Sequence, residues 1–305
     1  MSLLLRAMTV LLLALPACMT AGAEDGDQPD RPSIGLALGS GGAGGLAHIA
    51  MLEVFDDLEV KPDMIAGTSI GAVIGALYAA GSSAAEIRDI FDDFAGSNLD
   101  ALSSLMDDDL RLRDLLRLDL NNGGLFDAQG FIDFIAGKVE AKTFEDLEIP
   151  LLVVATDYWT GDAVILGEGD LFQAVQASMA VPGLFSPVLK DDQILLDGGM
   201  ANPLPLDLLV EHCDLIVAVD VTSTRSASDE DDPDVLHLLF STFEIMQQSI
   251  IAARKRSIEP DIAIKPDTSD IRLLHFNRIE TILEKAAPAA EEMREQLEEA
   301  LSEGA

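Results

Sequence analysis

Two short apolar segments, each followed by glycines and then by a helical pattern, constrain the fold of this chain most strongly. The first occupies residues 33–38 and leads into a glycine loop at 39–45, and the second occupies 64–67 and leads into Gly-Thr-Ser-Ile-Gly. Apolar runs of this length between turn signals indicate buried strands. Because strand, turn and helix follow one another twice, the pattern predicts right-handed βαβ crossovers and a parallel sheet.

The same pattern continues along the chain. Further apolar runs predict strands at 150–158, 193–196, 215–221 and 262–264. Apolar residues at helical spacing predict helices at 46–58, 70–80, 131–139, 170–179, 235–257 and 277–301, the last of them amphipathic. Residues 96–126 fit neither pattern and form either a mobile cover over a site or a surface excursion. Nothing divides residues 33–305, so they are predicted to form one domain.

Residues 1–23 have the pattern of a secretory signal peptide. Arg6 precedes an apolar run that is too short for the ~20 residues that span a bilayer, and small residues follow that run. Two cleavage sites compete. Cleavage before Glu24 would follow an Ala-x-Ala sequence, whereas cleavage before Cys18 would leave an N-terminal cysteine open to lipidation, as in bacterial lipoproteins. Both predict an exported protein of a bacterial envelope, either periplasmic or membrane-anchored, with residues 24–32 as a linker.

The acidic composition limits the partners of this chain. Its 19 basic and 54 acidic side chains give a net charge of −35. This charge argues against binding to nucleic acid, whose phosphates require clustered Lys and Arg, and against docking to anionic lipid. Any contact with a membrane surface should therefore depend on apolar surface or on a lipid anchor. The acidic runs at 107–109 and 229–232 lack the spacing of a calcium loop, so no metal site is predicted.

Ser69 lies in a G-x-S-x-G sequence between a predicted strand and a predicted helix. This context is typical of a nucleophile elbow, in which a sharp turn exposes the serine hydroxyl at the start of the helix. Gly67 and Gly71 would permit the close backbone packing that such a turn needs. The alternative is a glycine-rich helix start with Ser69 as an ordinary cap.

The glycine loop at 39–45 also lies between a strand and a helix. Its small residues would let successive backbone N–H groups point at an anion, either the oxyanion of an acyl-transfer intermediate or a dinucleotide phosphate. Gly39, Gly41 and Gly44 do match G-x-G-x-x-G. However, Glu59 does not end a second strand as a dinucleotide fold requires, and that fold has no use for the elbow serine. The oxyanion interpretation is therefore favoured.

A serine nucleophile needs a group that accepts its proton. The chain has four histidines, and each is expected to be a packing or surface residue rather than a base: His48, His212, His237 and His275. Asp197 ends a predicted strand, and Gly198 and Gly199 allow a tight turn that would aim its carboxylate outward. A partly buried aspartate has a raised pKa and can accept a proton directly. A Ser-His-Asp triad that uses one of the histidines remains the alternative.

Four blocks resemble the patatin-like phospholipases in order, spacing and sequence: LGSGGAGGLAHIAML, IAGTSIGAVIGALYAAG, QASMAVPGLFSPV and LLDGG. The resemblance covers about residues 34–221. It implies a three-layer α/β/α sandwich with a mostly parallel central sheet and the hydrolysis of acyl esters without a cofactor. It also implies that Ser69 attacks the ester, that Asp197 is the base, and that N–H groups around Gly41, Gly42 and Ala43 form the oxyanion hole.

The substrate is predicted less closely. The apolar segment 177–188 either lines an acyl pocket or belongs to the core; its relevant residues are Met179, Val181, Leu184 and Phe185. A glycerophospholipid is the first expectation, and a lysophospholipid, a neutral glyceride or a short ester would suit the same dyad. Gly44 stands where the family usually carries Arg or Lys, which also leaves a catalytically weak binding protein as an alternative. The sequence does not indicate an oligomeric state.

Overall fold

The computed structural model describes residues 31–106, 124–126, 128–223 and 235–303. Its strands are β1 (Ile34–Leu38), β2 (Met64–Thr68), β3 (Gly124–Phe126), β4 (Leu151–Asp157), β5 (Ala163–Leu166), β6 (Gly183–Phe185), β7 (Val188–Lys190), β8 (Gln193–Asp197), β9 (Leu215–Val219) and β10 (Ile262–Ile264). Its α-helices are α1 (Ala47–Asp57), α2 (Ile70–Ala79), α3 (Ala84–Met106), α4 (Ala128–Ala136), α5 (Leu171–Ser178), α6 (Val235–Arg254) and α7 (Ile279–Glu303). The predicted signal segment, Cys18 and both cleavage sites lie outside the described residues.

The central sheet has the strand order β10-β9-β1-β2-β4-β8-β7. The first five of these strands run parallel, whereas β8 pairs antiparallel with β4, and β7 pairs antiparallel with β8. β5 also pairs antiparallel with β4, and β3 pairs with β6 in a separate two-stranded sheet. The predicted α/β fold with a mostly parallel central sheet is therefore confirmed.

The two faces of the sheet are covered unequally. Leu36 and Leu38 of β1 join the larger apolar cluster, which includes buried residues of α1, α2, α3, α5 and α7. Ala37 lies between them in the sequence and so points to the opposite face. It joins a smaller cluster with Leu206 and with Ile251 of α6. Most of the helical mass therefore lies on one face, and α6 with the turn at 206–208 covers the other.

Helix α3 and four short strands were not predicted. α3 begins at Ala84, and its start carries a capping box: the Glu86 carboxylate accepts from the Ser83 backbone N–H, and the Ser83 hydroxyl accepts from the Glu86 N–H. α3 extends to Met106, so the first part of the segment 96–126 is helical, and residues 107–123 lie outside the described part. Strands β3, β5, β6 and β7 have only three or four residues each, too few for a clear pattern. None of the helices described here has the length and hydropathy needed to cross a bilayer.

Candidate active site

Ser69 occupies the turn between β2 and α2 in a strained backbone conformation. Its φ is 56° and its ψ is −122°, a region that non-glycine residues rarely adopt and that costs about 1–3 kcal/mol. The surrounding packing holds this conformation. A Cβ at Gly71 would lie 2.2 Å from the carbonyl oxygen of Leu38, so only glycine allows α2 to approach β1 this closely. The geometry is that of the predicted nucleophile elbow.

The register of β4 brings Asp197 to Ser69, although the two residues lie 128 positions apart in the sequence. Thr68 pairs with Val154 of β4 on one side, and Asp197 pairs with the next residue, Ala155, on the other. The Ser69 hydroxyl donates a hydrogen bond to Oδ2 of Asp197 at 2.6 Å. The structure thus brings the two predicted catalytic residues into direct contact.

Asp197 is a buried carboxyl group with few polar partners. Its side chain is fully buried, and its Oδ1 accepts a hydrogen bond from the Gly199 backbone N–H at 2.7 Å. Burial raises the pKa of Asp197 to about 7, and the hydrogen bonds from Ser69 and Gly199 only partly offset this rise. A carboxyl group with this pKa is ionised at neutral to alkaline pH and still basic enough to accept a proton.

Two hydroxyl groups that were not predicted as site residues hold the elbow and Asp197 in place. The Ser69 backbone N–H donates to the Ser178 hydroxyl at 2.8 Å, and that hydroxyl donates to the Val154 carbonyl oxygen at 2.6 Å. The Thr156 hydroxyl donates to the backbone carbonyl of Asp197 at 2.8 Å. Ser178 lies in the sequence QASMAVPG, one of the blocks that resemble the family, so the sequence did point to this segment. The hydrogen bond between Ser178 and Ser69, however, depends on how α5 packs against β4.

The glycine loop lies against Ser69 and presents free backbone donors. Gly41 and Gly42 line the same cavity as Ser69, and within the described residues their N–H groups donate no hydrogen bond. Gly42 has a φ of +54°, and a Cβ there would lie 2.4 Å from Leu273 Cδ1, so glycine is required. The Ala43 N–H instead donates to the Leu273 carbonyl oxygen at 2.8 Å. The prediction for Ala43 is therefore corrected, because its N–H group is already used within the fold, and the N–H groups of Gly41 and Gly42 are the ones left to face the cavity.

The histidines that the structure describes do not contact the dyad. His48 is fully buried, and because a carbonyl oxygen only accepts, Nε2 carries the proton that it shares with Gly39 O at 2.8 Å. Burial lowers the pKa of His48 to about 4, so it is neutral and supports the glycine loop. His212 is exposed, and His275 Nδ1 accepts from the Arg272 backbone N–H. The side chain of His237 lies outside the described residues.

A cavity of about 320 Å³ opens beside Ser69, which is within the range of small-molecule sites. All four residues predicted for an acyl pocket line it, namely Met179, Val181, Leu184 and Phe185. The glycine loop and the elbow add Ser40 and Ile70 to the wall. The remaining lining residues come from parts of the chain that the sequence did not connect with the site: Val73, Phe94, Gly130, Phe131, Phe243, Glu244, Gln247, Leu273, Leu274 and Phe276. The wall is therefore mostly apolar, and the glycine loop and Ser69 supply polar groups at one part of it.

The family model described as patatin-like phospholipase matches residues 36–210. This region contains the glycine loop, the elbow and Asp197. The chain belongs to the patatin-like phospholipase family. Its match covers more than half of the chain, and the blocks that carried the resemblance all fall within it or overlap it.

Curated patatin relatives match the same part of the chain. An uncharacterized NTE family protein of Mycobacterium bovis is 34% identical over 209 residues, which are 67% of this chain and 53% of the relative. The patatin-like phospholipase domain-containing protein 6 of Homo sapiens is 33% identical over 194 residues, which are 63% of this chain and 13% of the relative. The chain therefore spans about half the length of the mycobacterial relative it matches, and a much smaller share of the human one.

Solved structures give a more distant likeness. VipD from Legionella pneumophila aligns with 87% of this chain and 67% of its own, at a TM-score of 0.45 and 14% identity. ExoU of Pseudomonas aeruginosa, solved in complex with SpcU, aligns with 90% of this chain and 53% of its own, at a TM-score of 0.44 and 14% identity.

The patatin loop of this chain differs from the expected pattern at Gly44, and the structure shows what surrounds that position. Gly44 is buried and does not line the cavity. A Cβ at Gly44 would lie 3.3 Å from both Thr268 Cβ and the Val221 carbonyl oxygen. The Cβ of any side chain at position 44 would therefore point toward Val221 and Thr268 and away from Ser69. Among the residues described, no three His, Cys, Asp or Glu side chains are grouped so that they could hold a metal ion.

Proposed function

We propose that this chain is a serine lipid acyl hydrolase of the phospholipase A or lysophospholipase type, in which Ser69 is the nucleophile and Asp197 the base. One observation carries the proposal: the Ser69 hydroxyl donates to the buried Asp197 carboxylate at 2.6 Å, in the wall of an apolar cavity. A serine whose hydroxyl already donates to a group of raised pKa needs no further residue to lose its proton.

Acylation follows from this geometry. Ser69 Oγ attacks the carbonyl carbon of the ester while its proton passes to Asp197 Oδ2. The carbonyl oxygen becomes negatively charged and accepts hydrogen bonds from the N–H groups of Gly41 and Gly42. When this intermediate collapses, the carbon–oxygen bond to the alcohol breaks, and the leaving oxygen takes the proton from Asp197. The products are a free alcohol and an acyl ester on Ser69.

Deacylation uses the same groups in reverse. A water molecule transfers a proton to Asp197 as its oxygen attacks the acyl carbon, and the two glycine N–H groups again stabilise the oxyanion. The Ser69 oxygen then leaves and recovers its proton from Asp197, which releases the fatty acid. No cofactor takes part in these steps. The acyl chain fits the apolar wall formed by residues such as Met179 and Phe185.

Ser69→Ala and Asp197→Asn test the proposal. Each should abolish hydrolysis of a lysophospholipid and of a soluble short-chain ester, and the double variant should be no worse than either single variant, because the two residues act as a unit. Ser302→Ala, at an exposed position of α7, is the control. A fluorophosphonate probe should label wild type but not Ser69→Ala. Full activity in Asp197→Asn with loss in a His→Ala variant would favour a triad, and an unlabelled wild type would favour a binding protein.

We also propose that the mature protein is exported to a bacterial envelope, either free or anchored through Cys18. The proposal rests on the signal-like residues 1–23. Mass spectrometry of the mature N-terminus decides between the forms. A lipidated Cys18 would establish the anchor, an N-terminus at Glu24 would establish the free form, and retained Met1 would contradict export.

A further inference from the structure

Helix α6 exposes an uncharged and mostly apolar surface. We call this surface the outer face of α6; its residues are Leu238, Leu239, Thr242, Ile245, Met246, Ser249, Ala252 and Ala253, all of them exposed. Four large side chains on it are about half exposed or more: Leu238 52%, Leu239 63%, Ile245 57% and Met246 47%. From residue 238 to 253 the face extends about 22 Å along the helix.

Helix α6 carries large apolar side chains on its exposed side as well as on its buried side, where Ile251 joins the smaller core cluster. Ser241 and Gln247 are buried on its inner side, although they are polar. A helix at the surface of a soluble protein normally turns its apolar stripe to the core and its polar residues to water. Charged residues make up 24% of this chain, yet none lies on the outer face of α6. Such clustering of exposed apolar side chains marks a surface that contacts another apolar body.

The same helix forms part of the active-site cavity. Phe243, Glu244 and Gln247 line the cavity that contains Ser69. These three residues are interleaved along the helix with Thr242, Ile245 and Met246 of the outer face. A lipid that leaves a bilayer to reach Ser69 would therefore pass beside a helix whose outer side is already apolar.

We propose that the outer face of α6 docks on an uncharged or zwitterionic lipid surface and holds the cavity at that surface. The proposal rests on the proposed function for its substrate, but not for the binding itself. A helix with this apolar face would lie in the plane of the interface and bury Leu239 and Ile245 among the acyl chains. Three residues of the cavity lining belong to the same helix as the outer face, so docking of that face would bring the cavity to the lipid surface.

Charge selects the kind of surface. The net charge is −35, and the sequence places the acidic run 229–232 just before α6. The outer face supplies no Lys or Arg to offset this charge. Anionic lipid should therefore repel the protein, most strongly at low salt where screening is weak. Attraction comes from apolar burial alone, which a neutral lipid surface supplies without repulsion.

The experiment measures binding of the inactive Ser69→Ala protein to phosphatidylcholine vesicles by flotation, so that the vesicles are not consumed. Leu239→Glu and Ile245→Glu should each lower the partition constant about tenfold or more, since each removes an apolar contact and adds a charge at the interface. Leu189→Glu is the matched control, because Leu189 is also exposed, at 73%, but lies on β7. Vesicles with added phosphatidylglycerol should bind less protein at low salt.

Activity on a soluble short-chain ester separates this proposal from the proposed function. Leu239→Glu and Ile245→Glu in the active protein should keep that activity while losing activity on vesicles. The docking proposal fails if both variants bind vesicles as the parent does, if Leu189→Glu weakens binding equally, or if the parent does not bind. It also fails if the variants instead abolish a dimer detected by sedimentation. If neither the wild type nor any variant hydrolyses an ester, but vesicle binding follows the predicted pattern, the proposed function is wrong and the docking proposal is supported.

Discussion

The Asp197→Asn substitution should make the protein more stable at alkaline pH while it removes hydrolytic activity. Asp197 is fully buried, and burial raises its pKa from 3.8 to about 7. In the unfolded chain the carboxyl group is solvated and ionises near its ordinary value. The folded state therefore binds this proton more tightly than the unfolded state, and the protein loses stability as the pH rises through the interval between the two pKa values.

The magnitude follows from that interval. Below pH 3.8 both states are protonated, and the buried carboxyl group costs nothing through ionisation. The cost then grows by about 1.4 kcal/mol per pH unit until about pH 7 and is level above it. Between pH 5 and pH 8, Asp197 alone should lower the free energy of unfolding by about 3 kcal/mol, whereas asparagine does not titrate. The hydrogen bonds changed by the substitution do not add to this pH-dependent part.

Equilibrium denaturation at pH 5 and pH 8 is the assay. From pH 5 to pH 8, the free energy of unfolding of Asp197→Asn relative to wild type should increase by about 3 kcal/mol. Asp157→Asn is the control of opposite sign, because backbone hydrogen bonds from Thr160 and Trp159 lower the pKa of Asp157. That variant should be less stable than wild type by about the same amount at pH 5 and pH 8, because a carboxyl group with a lowered pKa is ionised throughout this interval. If Asp197→Asn shows the same difference from wild type at both pH values, Asp197 is not desolvated and the reasoning is wrong.

Three further predictions concern activity and the glycine loop. Because only ionised Asp197 accepts the serine proton, kcat/KM should fall about tenfold per pH unit below about pH 7 and be level above it, and a profile centred near pH 4 would contradict this. Gly42→Ala should lower kcat about 100-fold or more, since its positive φ and its contact with Leu273 leave no room for a Cβ; unchanged kcat would show that this loop does not hold the oxyanion. Gly44→Arg should lower the free energy of unfolding by about 1–3 kcal/mol through contacts with Thr268. It should leave the ratio of activities on phospholipid and neutral ester unchanged, and a raised ratio would show that position 44 reads the head group.

Local patterns in the sequence were sufficient to predict the strands of the parallel part of the sheet. The apolar runs at β1, β2, β4 and β9 are strong because both faces of a parallel sheet are buried, so most residues of each run are apolar. The antiparallel strands β5 and β7 are short and partly exposed, and they carry no such signal. The start of α3 could have been found, since Ser83 and Glu86 match the capping-box spacing.

The sequence could not predict which side of α6 is exposed. Residues 235–257 were predicted as a helix from apolar spacing, and the helix is there. The pattern does not tell which side faces the core, because apolar residues such as Leu239 and Ile251 occur on both sides of it. Tertiary packing decided this: Ile251 joins the smaller core cluster, and Leu239 is left 63% exposed.

The sequence by itself determined which residues could do the chemistry. Gly-x-Ser-x-Gly between a strand and a helix singled out Ser69, and Asp197 followed by two glycines at the end of a strand gave the second candidate. These are local features, because the turn and the adjacent elements depend on neighbours in the chain. The tertiary structure decided that Ser69 and Asp197 lie in contact and which residues surround them. β4 lies between β2 and β8 and joins residues 128 positions apart at 2.6 Å. The same packing that brings Asp197 to Ser69 also excludes water from its carboxyl group, and that exclusion, which depends on the whole core, is the reason its pKa is raised to about 7.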